Sequence, residues 1–179
     1  MQLKWILRSL ALVAVLGLTV TVSSADEPTM SLRARLSGFQ EVAPKLTAGT
    51  DRFEATVNGS MLSYTLTYSG LSSSAIMAHI HFAQPAVNGG IFLWLCQTAA
   101  APAPSAVAAN TPMCPEHGGT VSRSGVTAAD ILAVSGQNVS AGDFAGILRI
   151  IESGDAYVNV HTTNFGGGEI RGQVKTDQD

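Results

Sequence analysis

From about residue 31 onward, polar and apolar side chains alternate in short runs, and glycine, proline, asparagine or serine ends each run about every ten positions. Successive side chains on a strand point to opposite faces, so this pattern specifies strands that bury one face and wet the other. It predicts strands over Ser31 to Leu36, Phe53 to Val57, Met61 to Tyr68, Ile76 to Phe82, Ile91 to Cys96, Ala156 to Thr162 and Glu169 to Lys175. Asn58-Gly59 between the second and third tolerates positive φ and signals a tight hairpin. The expected fold is mainly β, an antiparallel Greek-key-like β-sandwich with one or two short helices inserted.

Two segments depart from the β pattern. Thr127-Ala128-Ala129-Asp130 has the form of a capping box before Ile131, Leu132 and Val134, and Ser140 to Asp143 repeats the device. Phe144, Ile147, Leu148 and Ile151 then fall at helical spacing, which predicts a short helix laid on the sheet. At the other end of the sheet, Ile170 and Val174 are expected to face inward, and Glu169, Arg171 and Gln173 to face out, with Glu169 and Arg171 at most a surface ion pair.

Residues 1–25 read as an export signal: Lys4 and Arg8, an apolar run from Leu10 to Val22, then Ser23-Ser24-Ala25 before Asp26. Residues 26–179 are read as one domain, delivered to the periplasm or the extracellular space, with no membrane attachment after cleavage. Losing Lys4 and Arg8 shifts the formal charge from −3 to about −5, and the remaining basic residues are scattered, so nucleic acid is excluded as a partner. Cys96 and Cys114 bracket an Ala/Pro-rich stretch, 97–112, read as a surface loop too small and polar to build a core. Export favours a disulfide between them; the competing use is a metal thiolate, since Cys114-Pro115-Glu116-His117 has ligand-like spacing.

The four histidines carry the chemistry. His79 and His81 flank Ile80, so they share a face and sit about 6.6 Å apart along the strand. In Tyr157-Val158-Asn159-Val160-His161 the valines turn to the core, leaving Tyr157, Asn159 and His161 on the other face. If the two strands adjoin, three imidazoles converge into a site for one copper or zinc ion, copper being favoured at an all-nitrogen site. Asn159 is then placed to orient a ligand, and His117 is expected to stand apart. No nucleophile elbow, phosphate-cradling loop or acid–base carboxylate pair is present.

Leu36-Ser37-Gly38-Phe39-Gln40-Glu41-Val42-Ala43-Pro44, Ala78-His79-Ile80-His81-Phe82 with Asn88-Gly89-Gly90, and Tyr157 to Thr162 with Gly168-Glu169-Ile170-Arg171-Gly172-Gln173 resemble the CHRD domain, a module named for the secreted protein chordin. The resemblance runs from Leu32 to Val174 and implies a β-rich extracellular module without a settled activity. A looser likeness is to Cu/Zn superoxide dismutase. It implies His79, His81 and His161 as copper ligands and Arg171 as the group that attracts an anionic substrate. The second metal of that enzyme needs further histidines and an aspartate, and only His117 remains here. The expected function is therefore a binding module that holds one transition metal. A metal-free module contacting another protein or a matrix, and a copper-only dismutase-like enzyme, are the alternatives.

Overall fold

The computed structural model describes residues 29–177; the expected export signal lies outside the described residues. Nine strands form one sheet: β1 (Thr29–Ser37), β2 (Thr50–Asn58), β3 (Met61–Ser69), β4 (Ala75–Phe82), β5 (Gly90–Cys96), β6 (Gly119–Val126), β7 (Ala156–Thr162), β8 (Ile170–Gln173) and β9 (Lys175–Thr176). The spatial order is β5-β4-β7-β8-β1-β2-β3-β6, with β9 also on β1 and the paired strands antiparallel throughout. The sheet curls until it is nearly closed, a mainly β architecture with two helices, α1 (Ser105–Ala108) and α2 (Phe144–Glu152).

Closure follows from side chains at the two edges. The Tyr64 hydroxyl on β3 donates to the Leu95 carbonyl on β5 at 2.6 Å, and Tyr68 donates to Pro115 at 2.7 Å. Cys96 at the end of β5 is disulfide-bonded to Cys114, just before β6. The core inside the curl is built from alternate residues: Leu32, Ala34 and Leu36 of β1, Phe53, Ala55 and Val57 of β2, Ala78 and Ile80 of β4, Val158 and Val160 of β7. Phe144, Ile147 and Ile151 of α2 pack into the same core, as their spacing predicts.

Several local expectations differ. The capping box at Thr127 forms, with Thr127 N–H donating to Asp130 Oδ2 at 2.9 Å, but it starts a single 3-10 turn, Ala128–Asp130. Ile131 is then drawn into the core and Leu132 N–H pairs with the Phe92 carbonyl, so bonding to β5 outcompetes helix propagation. The cap of α2 is Asp143, which accepts from Gly146 N–H, not Ser140. The Ala/Pro stretch does make a small core: α1 forms within it, and Ala103 and Val107 pack against Trp94. Strand β6 has no counterpart among the expected strands; it pairs with β3 and puts Val121 and Val126 into the core, with Ser, Thr, Arg and Gly between and around them.

Candidate metal centre

Register brings the histidines together. On β4 and β7, His79 pairs with Asn159, His81 with Tyr157 and Met77 with His161. Adjacent strands in register put His79, His81, Asn159 and His161 on one patch of one face, opposite the core valines. One ring nitrogen from each of His79, His81 and His161 lies within 4.8 Å of the others. His117 is exposed and outside this group.

This face does not meet water. His79 is fully buried, and His81 and His161 retain 7% and 6% exposure. Trp94 on β5 covers His79, edge to face at 4.2 Å, and is itself backed by Val107 of α1. The loop 84–90 lies over His81, and the turn after β7 lies over His161. A strand pattern distinguishes only two faces; it carries no information about whether loops will cover the second one.

The covering loops set the tautomers. His81 Nδ1 is 2.9 Å from the Gly89 carbonyl and His161 Nδ1 is 3.0 Å from the Gly166 carbonyl. Carbonyls only accept, so both Nδ1 atoms carry the proton and both Nε2 atoms present a lone pair. His79 Nδ1 lies 3.1 Å from His161 Nε2. Yet His79 Nε2 and His81 Nε2 are buried without any hydrogen-bond partner. Burial depresses the pKa of all three, reinforced by neighbouring rings at His79 and His161 and by the Arg171 charge at His81: His79 falls well below the ordinary 6.5, and His161 to about 4. Three neutral imidazoles are therefore held together at neutral pH.

Arg171 is the largest correction. Expected on the surface, it is 1% exposed. Its guanidinium stacks on Tyr157 at 3.3 Å and donates to Asn88 Oδ1, Gln84 O and Val87 O at 3.3, 3.1 and 2.8 Å. Tyr157 in turn stacks face to face on His81 at 4.6 Å. Arg171 thus pins the loop that supplies Gly89 O to His81, and the buried guanidinium is committed to that loop. Glycine is required at position 89, since a methyl there would strike the Phe82 carbonyl.

Glu169 is also buried and makes no pair with Arg171. It accepts from Thr47 Oγ1, Thr162 Oγ1, and Ser72 N–H and Oγ at 2.5, 2.7, 2.8 and 2.8 Å. Burial raises its pKa, but these donors outweigh that and leave it lowered, so Glu169 is an ionised clasp joining β8 to the loops after β3 and before β2. Both residues were read outward from the alternation about Ile170; the alternation is obeyed, and the outer face is sealed.

With this geometry in hand, the CHRD domain profile matches residues 32–174. The chain belongs to the CHRD-domain family. No curated protein and no solved structure gave a significant match. Each of the three stretches that resemble CHRD domains contributes to the site of this CHRD protein: Glu41 from the first, His79, His81 and Gly89 from the second, Asn159, His161 and Arg171 from the third. Tyr157, Trp94 and the two carbonyls were missed as site residues. Strand parity alone places Tyr157 beside the histidines, whereas the carbonyls belong to glycine-rich segments that read only as turns.

Proposed function

We propose that this protein is an exported CHRD binding module that holds one transition-metal ion, copper in preference to zinc, through His79, His81 and His161. The observation that carries the reading is a buried three-histidine cluster in which His81 Nε2 has no hydrogen-bond partner and His79 Nδ1 faces His161 Nε2 at 3.1 Å. An orphaned buried polar atom costs about 1–3 kcal/mol, and any tautomer of His79 leaves one of its nitrogens unused or facing another lone pair. A cation takes the lone pairs of His81 Nε2, His161 Nε2 and one His79 nitrogen. Two nitrogens 3.1 Å apart, each about 2.0–2.1 Å from one ion, subtend about 100° there, within the range that tetrahedral or tetragonal sites accept. The donor set is all imidazole, which suits copper, zinc or nickel, with copper strongest by affinity order.

Export is supported by the N-terminal sequence, by the Cys96–Cys114 disulfide and by the extracellular character of the family. Among the described residues no helix is long and apolar enough to cross a membrane. A dismutase-like activity is disfavoured because Arg171, the group that would attract an anion, is buried and bound to loop carbonyls. Elemental analysis of protein purified without chelator, followed by copper titration of the metal-free protein, tests the reading. One equivalent bound in the wild type, and none at comparable affinity in His81→Ala or His161→Ala, is the expected result. No metal in the purified protein and no uptake on titration overturns it.

A further inference from the structure

Asn159 lies between the histidines and a second buried, unsatisfied group. Its Oδ1 is 3.0 Å from His161 Nε2, and its side chain also reaches His81. Because His161 Nδ1 spends the ring proton on Gly166 O, Nε2 has nothing to donate, so an oxygen facing it at 3.0 Å is a meeting of two acceptors. The alternative is to turn the amide so that its NH2 caps Nε2, and amide orientation is decided by the surrounding network.

That network includes Glu41. Glu41 is 4% exposed, its Oε1 is buried without a full hydrogen bond, and it faces the amide nitrogen of Asn159 across Gly168. A methyl at Gly168 would collide with Glu41 Oε1 and crowd Asn159 Nδ2, so glycine there lets the two side chains approach; its φ of +118° suits the same residue. The NH2 end of the amide lies on the Glu41 side, where Nδ2 and Glu41 Oε1 flank Gly168 together. Oδ1 is then left facing His161 Nε2.

We infer that Asn159 Oδ1 is a fourth ligand of the metal centre, held oxygen-inward by Glu41. This rests on the three-histidine reading and adds to it a ligand and the residue that orients it. Lone pairs from His81 Nε2, His161 Nε2, His79 and Asn159 Oδ1 then converge on one cation, and the acceptor–acceptor contact becomes a shared coordination edge. An amide oxygen is a weak ligand beside three imidazoles, the kind of position that tunes rather than creates a copper site. Glu41 is a positioning residue that touches no metal.

The test is copper titration with electron paramagnetic resonance on the full chain, comparing wild type with Asn159→Leu, Asn159→Asp and Glu41→Gln. Asn159→Leu is expected to weaken copper binding at least tenfold and to change the hyperfine pattern. Asn159→Asp, which keeps an oxygen and adds charge, should bind at least tenfold more tightly. Glu41→Gln, which can donate as well as accept, frees the amide to turn and should reproduce part of the Asn159→Leu spectrum while leaving the fold intact by circular dichroism. An Asn159→Asp protein with wild-type affinity and spectrum overturns the assignment, even if Asn159→Leu fails to fold. A wild type that takes up no copper overturns the three-histidine reading instead, so the two failures are told apart.

Discussion

In β2 and β3 every second residue points to water, whereas in β7 no residue does. Both halves of the sheet obey the same alternation and share one core. The outer face of β1, β2 and β3 carries Arg33, Arg35, Arg52, Thr56, Ser63 and Thr67, all solvated. The outer face of β4, β7 and β8 carries His79, His81, Tyr157, Asn159, His161 and Arg171, all sealed beneath loops. A polar group in water costs nothing to leave unpaired, while one under a loop must be bonded, stacked or bound to something. Most of the sealed set is bonded or stacked; two imidazole nitrogens and the neighbouring Glu41 Oε1 are not, and they cluster at the candidate metal centre, whereas the other half has only the isolated Asp51 carboxyl among the described residues.

Matched substitutions on the two faces sharpen this contrast. The largest difference is expected for metal affinity: His81→Ala and His161→Ala should lower copper affinity by more than about a hundredfold, since loss of even an outer partner of a ligand costs about 10–100-fold. Thr65→Ala and Ser63→Ala, at outward positions on β3, should leave it unchanged. Calorimetric titration reads both, and equal losses on the two faces would break the comparison.

Arg171→Ala should destabilise the protein by about 3–4 kcal/mol, because three acceptors of the 84–90 loop lose their donor and Tyr157 loses the guanidinium stacked on it. Arg52→Ala, whose exposed guanidinium pairs only with exposed Glu54, should cost about 0.5 kcal/mol or less. Urea denaturation of the two variants decides whether the same residue type has different weight on the two faces.

Acid should act through the sealed half. The pKa of His161 is lowered from 6.5 to about 4 in the folded state, so between those values the unfolded chain binds the extra proton. The contribution of this group to stability is complete above about pH 6.5, declines as pH falls, and is exhausted below about pH 4, a loss on the order of 3 kcal/mol for metal-free protein. His79 and His81 shift in the same direction and add to it. Thermal melts from pH 7 to pH 4 should show the decline, and a flat profile would mean that these rings are not held neutral.

The opposite pH dependence is expected of a carboxyl that faces the core in the other half. Asp51 on β2 is buried, neither oxygen has a partner, and burial raises its pKa to about 8. The folded state here holds the proton, so its contribution is complete below about pH 3.8 and is lost as pH rises through about 8. Asp51→Asn should therefore stabilise the protein on the order of 5 kcal/mol at pH 8 and hardly at all at pH 4. Melting temperatures of the pair at the two pH values measure it.

Period-two alternation was enough to assign β1 to β5, β7 and β8 and to divide each into core and non-core faces, because a strand offers side chains only two directions. The hairpin at Asn58-Gly59, the α2 stripe, the shared face of His79 and His81 and the matching parity of His161 were legible for the same reason: each is set by neighbours within a few positions of chain. Strand β6 was not, since its two core valines, Val121 and Val126, stand five positions apart among Ser, Thr, Arg and Gly and break the period-two pattern, and β3 supplies the edge on which it pairs. Nor was the burial of Glu169, Arg171 and the histidines. Which strands adjoin, and which loops lie across them, depends on contacts such as Arg171 with Val87 and His81 with Gly89, made between residues far apart or on different elements. Sequence determined which residues share a face; tertiary structure decided that the face is dry, and dryness is what turns four polar side chains into a candidate metal centre.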